Sequence, residues 1–568
     1  MALRRYADRW SNNRHVNPAH DEVETANKEG RWNLRELEYQ LEGISLGRRL
    51  KRFLTYNSQT SIYNAGVKCD TVFHCKNSLM LFRELLRLMD IAQVLEIIEW
   101  VHSKKINSHV EIIPFVLSEC CRLDNHKPIV LKFTLKLLRK SEEFLLFHKY
   151  CFEIDPKIRV DLLVKNMIRE WYALHDSLDI ADMVTENSTV GIWGHNIMLK
   201  LGHVESRKSD RAALYIYATQ GLEKMNEKFR NDPEAAVIIK HFNRVNNFKM
   251  MLHPFKAAQE ISYYRHSVRV TNDYLLNEKM VWKALLQQMD LHELHFWLPH
   301  LTNLSTEYED DAMMWDQDFI LHICDRIESL GAVIQSRISP CRSCIELQKY
   351  LNIDREKFHP LYSGQPIRIR YPINEDIVTA LQGQLTKAIK NNIKPVKLNM
   401  TLVIICDQLP HTLCQRALYV PADIAAAVIT LSLKNSFKST KILAFDENDF
   451  QDLSEEKTYS SLMLSIEAKK CSETKPMDVS KILNFENKDV SETDLFVIIG
   501  KAINYGDYMG MVQSHEDNPR EPKFVFCSLG ERTSEGPDHS NILAITGFDD
   551  KVCSVIHAFV MEPFVFTL

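Results

Sequence analysis

Glycine is scarce in this sequence, 17 in 568 residues. The folds that cradle phosphates or expose a nucleophile on a tight turn need it at fixed spacings. No P-loop, dinucleotide fingerprint or nucleophile elbow is present. No apolar run reaches about 18 residues, so no transmembrane helix and no membrane contact are expected. The start, Met1 to His20, carries Arg4, Arg5, Arg9 and Arg14 and lacks the apolar core of a secretory signal, so residues 1–30 are expected to be a flexible tail. Paired cysteine motifs are also missing. The 13 cysteines are odd in number and scattered, and Cys341 with Cys344 is a lone CxxC without the second ligand pair that zinc requires. A reduced protein of the cytoplasm or nucleus is expected. His292-Glu293-Leu294-His295 spaces its histidines three apart, where a zinc-protease helix needs four. With no catalytic constellation and no cofactor motif to name, a non-enzymatic protein is expected.

What is present is ordinary in bulk and uneven along the chain. Apolar residues make up 45% and charged residues 26%, as in a folded globular protein. Residues 401–568 hold 15 basic against 25 acidic residues, whereas residues 1–400 hold 55 against 50. Two parts with different partners are therefore expected. From about residue 31 to 390 helical periodicity dominates. In Leu79–Val101, Phe82, Leu85, Leu86 and Met89 recur at three- and four-residue steps. Similar stretches at 129–151, 158–174, 211–230, 280–298 and 316–330 predict helix hairpins stacked as a HEAT-like α-solenoid. Ser363–Pro372 interrupts this rhythm, and Asn374–Lys390 resumes it for one more helix. Residues 391–568 alternate apolar strands (401–406, 441–445, 495–499, 523–527) with helices at 420–434 and 550–560, which predicts a doubly wound parallel sheet. Glu455–Lys488 is expected to be a long loop with a short helix.

Chemistry-bearing residues are few. Thr401–Cys406 is a buried-strand run that ends on Asp407, where an open α/β sheet places its ligands. Leu409 and His411 follow, offering few hard oxygen donors. Lys132, Lys136, Arg139 and Lys140 recur at i, i+4, i+7 and i+8 and predict one cationic stripe on a helix, either a solvated face or a seat for an RNA backbone. Arg48, Arg49, Lys51 and Arg52 form a second cluster, and Arg368 and Arg370 alternate near Tyr371. Trp193-Gly194-His195 opens a helix that carries Lys200 and His203; Trp193 either stacks on an unpaired base or packs in the core.

Several of these stretches resemble the TROVE-domain family of Ro ribonucleoproteins, over residues 45 to about 560. The segment Arg49-Leu50-Lys51-Arg52-Phe53-Leu54 with Tyr56, Ser58 and Tyr63, the run Trp171-Tyr172, and the run Trp193 to His203 fall in the family's order. Val281-Trp282-Lys283-Ala284-Leu285-Leu286-Gln287-Gln288-Met289 is the strongest single match. Arg337-Ile338-Ser339-Pro340, Ala425-Ala426-Ala427, Ala444-Phe445 and Gly547-Phe548-Asp549 complete the order. The resemblance implies a ring of HEAT-like helices followed by a von Willebrand factor A-like domain. It implies binding of small non-coding RNAs (Y RNAs) on an outer basic surface, and of single-stranded ends of misfolded RNA in the ring's hole. It places Lys165 and His195 at RNA-contacting positions and Lys200 at a basic one; Arg169 and His203 are further candidate RNA-binding residues. Asn166 stands where the family is basic, and Ser339 where it has a histidine. In the last domain the family's D-x-S-x-S oxygens suit Mg²⁺. Here Leu409 and His411 replace the serines and Lys501 replaces a distant aspartate, so a degenerate, metal-free site is expected in which Lys501 pairs with Asp407. A monomeric RNA-binding ribonucleoprotein component is the leading expectation, with protein partners for the last domain. The alternative is a protein-interaction scaffold that has lost RNA recognition.

Overall fold

A computed structural model describes residues 41, 44–67, 76–106, 109–186, 189–190, 192–309, 312–352, 373–391, 395–406, 409, 412–415, 417–445, 450–468, 493–502, 522–530 and 541–561. The expectations for residues 1–30, for Ser363–Pro372 with Arg368, Arg370 and Tyr371, and for Asp407 and His411 lie outside these residues.

Helices fill most of the described chain up to Asn391, and several runs that look continuous by periodicity are two helices each. Leu79–Val101 is split between Lys76–Leu88 and Ile91–Lys104. The break comes at Asp90, whose carboxylate accepts the Ala92 N–H and so starts the second helix. Asp161, Asp176, Asp290, Asp316 and Ser339 begin later helices in the same way. With so little glycine available, left-handed C-caps fall on other residues: Asn57, Lys105, His203, Arg265 and Arg337 all have φ between 47° and 60°. Each accepts a conformational cost of about 1 kcal/mol to end its helix.

The second part is built on one seven-stranded sheet. Its strands are β1 (Ile62–Asn64), β2 (Val396–Ile405), β3 (Phe437–Phe445), β4 (Phe450–Asp452), β5 (Leu495–Gly500), β6 (Lys523–Ser528) and β7 (Ile542–Thr546), in the spatial order β1-β7-β6-β5-β2-β3-β4. All neighbours are parallel except β4 on β3. Leu543, Val525, Val497, Leu402 and Ile442 stand side by side across its middle. Every residue of β5, β6 and β7 is buried, the pattern of strands covered on both faces. Helix Ala422–Lys434, with Ala425, Ala426 and Ala427 fully buried, packs on β3 and on helix Val552–Val560. The short helix expected within 455–488 is Tyr459–Ala468.

Strands β1, β4 and β7 were not among those expected, and β1 departs furthest from expectation. β1 lies in the helical part, directly after helix Leu46–Tyr56, yet pairs with β7, Ile62 opposite Ala544 and Asn64 opposite Thr546. Beyond it, the buried Asp549 carboxylate accepts from the Tyr63 hydroxyl at 2.7 Å, from the Gly66 N–H at 2.6 Å and from the Lys551 N–H at 2.9 Å. Residues 62–64 and 542–546 thus meet in one sheet. The helical array is a ring, and this seam joins its first helices to the sheet.

Candidate nucleic-acid interface

The expected cationic stripe is not one helix face. Helix Lys127–Leu137 stops at Leu138, whose backbone leaves the helical region at φ −88°, ψ 82°, and the next helix begins at Ser141. Lys132 and Lys136 lie on the first helix, whereas Arg139 lies in the connection and Lys140 caps the second. All four are exposed. Lys136 pairs with Glu99 at 2.7 Å, an exposed contact worth little in water. Arg139 turns its Nε back to the Lys136 carbonyl at 3.3 Å, placing its charge at the helix's negative end.

Buried aromatic residues fix this connection from beneath. The Trp171 indole N–H donates to the Leu138 carbonyl at 2.8 Å, and its ring stacks on Phe144 with centroids 4.1 Å apart. His175 places Nε2 2.9 Å from the Arg139 carbonyl and Nδ1 2.8 Å from the Trp171 carbonyl. Both ring nitrogens therefore face main-chain carbonyls, one of them in the connection. His195 holds Ser141: its Nε2 is 2.7 Å from the serine hydroxyl and its Nδ1 2.8 Å from the Tyr172 hydroxyl. Burial, and secondarily His175, pushes the His195 imidazole down to about 4, so it is neutral at physiological pH. Arg211 donates to the carbonyls of Tyr172 and His175 at 2.8 and 2.6 Å and anchors the end of the helix that carries them.

His195 is only 3% exposed and Trp193 7%, the latter packed against Phe152 at 4.7 Å. Both therefore lie in the core, which for Trp193 is one of its two sequence readings, and His195 touches the connection through Ser141. The remaining expected residues gather on a neighbouring pair of helices, Leu162–Ala173 and His195–Gly202, and the first of these also packs on Lys127–Leu137. Arg169 donates through Nε to the Gly202 carbonyl at 2.7 Å and through its terminal nitrogen to Asn166 at 3.0 Å. Gly202 permits this approach, because a Cβ there would stand 2.6 Å from Ile168. Lys165 is half-buried, and Lys200 and His203 are exposed. None of the other basic cluster is fully exposed. Lys51 and Arg52 are buried, Lys51 over the Trp100 ring at 3.8 Å, and Arg49 bonds Gln59 at 2.8 Å. Sequence reasoning missed Ser141, His175 and Arg211, whose roles rest on main-chain carbonyls and tertiary packing that no motif encodes.

The sheet presents the second candidate site. Its chain order reverses between β2 and β5, so their carboxyl ends flank the crevice where such sheets bind ligands. Lys501 follows β5 directly and is half-buried there. Its carbonyl accepts the Gly530 N–H at 2.8 Å, and a Cβ on Gly530 would lie 2.3 Å from Thr412 and 3.0 Å from the Lys501 side chain. Lys501 and Thr412 thus converge at the crevice, while the pairing of Lys501 with Asp407 falls outside the described residues. Leu409 is fully buried and apolar. An apolar side chain and an ammonium group do not fit the oxygen set that Mg²⁺ requires. His292 and His295 are no metal pair either: His295 is buried against Gln384 at 3.0 Å, and His292 faces the Ser336 carbonyl at 3.2 Å. Among the described residues no helix is long and apolar enough to cross a membrane.

No family model matches the chain. The crystal structure of the RO (RSR) protein of Deinococcus radiodurans superposes on it with a TM-score of 0.71, over 91% of this chain and 99% of that one, at 18% sequence identity. The chain has the Ro fold. That likeness accounts for a helical ring followed by a von Willebrand factor A-like sheet, and the Ro fold is the frame in which the basic connection and the Lys501 crevice sit.

Proposed function

We propose that this protein is a non-enzymatic RNA-binding component of a ribonucleoprotein. It takes small structured non-coding RNA on the exposed surface around Lys132, Lys136, Arg139 and Lys140, with Lys200 and His203 alongside. Single-stranded ends of misfolded RNA are the second class of ligand this reading includes. The observation that carries it is the 138–141 connection. Trp171, His175 and His195 immobilise its backbone from below while Arg139 and Lys140 stay in solvent. Preplaced cations of this kind suit phosphate oxygens, whose neutralisation releases counterions. Titration of a hairpin RNA with a single-stranded tail, at rising salt, tests the reading. Affinity should fall steeply with salt, and K132E/K136E should weaken binding. Unchanged affinity in that variant removes Lys132 and Lys136 from the surface. Absence of RNA binding even at low salt would leave the protein-scaffold reading, which the exposed Ile129 and Leu162 on the same helices favour.

A further inference from the structure

The lone CxxC does not act as a pair in this fold, because its two cysteines have different neighbours. Cys341 opens helix Pro340–Leu351 in the helical part, and its Sγ lies 3.5 Å from that of Cys553 in helix Val552–Val560 of the sheet part. Cys344 sits a turn further on, beside Cys414 and Tyr459. The same junction is pinned by Ser339, which caps its helix through the Arg342 N–H and donates to the Asp550 carbonyl at 2.9 Å. Cys341 is fully buried, whereas Cys553 is 8% exposed and is the thiol a small oxidant reaches first. The hydrogen bond to Cys553, followed by burial, holds the Cys341 thiol well above the ordinary thiol range.

We propose that Cys553 and Cys341 form a hydroperoxide-sensitive thiol pair whose disulfide staples the helical ring to the sheet. The Cys553 sulfur attacks the peroxide oxygen, the O–O bond breaks, and water or alcohol departs with the Cys553 proton, leaving a sulfenic acid. The Cys341 sulfur then attacks the Cys553 sulfur, the S–O bond breaks, and hydroxide leaves with the Cys341 proton as water. Two thiols are oxidised and one peroxide is reduced. The sulfurs close from 3.5 Å to the bonded distance of about 2.05 Å, a small movement for two facing side chains. The disulfide closes a loop containing most of the second half of the chain, the class of loop whose closure restricts the unfolded state most.

Peroxide treatment of the full-length folded protein, followed by alkylation in denaturant and peptide mapping, tests this. The expected product is one linked peptide pair joining Cys341 to Cys553, lighter by two hydrogens than the reduced pair and reversed by a thiol reductant. C341S should instead trap a dimedone-reactive sulfenic acid on Cys553. The oxidised protein should melt several degrees higher than the reduced one, and C341S should show no such difference. The proposal is overturned if both thiols remain alkylatable after oxidation, or if either is linked to a different cysteine, as in Cys341–Cys344. An unchanged melting point despite the correct linkage overturns the staple.

Discussion

Two short segments of this molecule are immobilised by buried polar side chains, and they serve opposite ends. At the seam, Asp549 gathers Tyr63, Gly66 and Lys551 and turns everything inward. At the 138–141 connection, Trp171, His175 and His195 hold the backbone from beneath while the side chains of Arg139 and Lys140 face outward. The difference teaches that a rigid loop is neutral as to purpose. What the loop leaves in solvent decides whether it closes a structure or recognises a ligand.

The comparison can be broken most severely at Trp171. W171A removes a fully buried indole and the Leu138 bond, and should destabilise by about 3–5 kcal/mol in urea unfolding. In material still folded, RNA affinity should fall although no cation has been touched. D549A should cost about 2–4 kcal/mol, since it leaves the Tyr63 hydroxyl and Gly66 N–H without their acceptor. Its RNA affinity and salt dependence should match the unmodified protein, and a parallel loss of RNA binding would show that the two segments are coupled. The pH response sharpens the contrast. Burial pushes His195 down to about 4 from an ordinary value near 6.5. The unfolded chain therefore takes the proton first. Stability from this group is complete above about pH 6.5 and is lost as pH falls through 4, by up to about 3 kcal/mol. H195Q should flatten part of that decline in unfolding curves between pH 7 and 4. Smallest in stability is R139E/K140E, which should shift unfolding by no more than about 0.5 kcal/mol. It should nevertheless lower the salt slope of RNA binding by about 1 per cation removed.

Helix rhythm and unbroken apolar runs made the larger architecture legible. Thr401–Cys406 falls within β2 almost entirely, and 523–527 is β6 short of one residue. Termination was harder to see. Periodicity ran through Leu138 because Leu131, Leu135 and Leu138 keep helical spacing, and nothing in the spacing records where the backbone turns away. β1 was invisible for another reason: three residues carry too little pattern to announce an edge strand, and their partner lies at the far end of the chain. Burial was equally hidden. A Trp-Gly-His turn looks the same whether it faces a base or, as here, Phe152.

Because β1 pairs with the last strand of the sheet, the seam cannot form until β7 has been made. A ribosome making this chain releases Ile62–Asn64 long before β7, so the helices beside β1 wait for all the residues between to emerge. Closure joins contacts of great sequence separation, the class slowest to find each other. A chain cut short before Ile542 leaves the Ile62–Asn64 edge unpaired and open to any other strand, which makes the arrival of β7 the checkpoint for a finished ring.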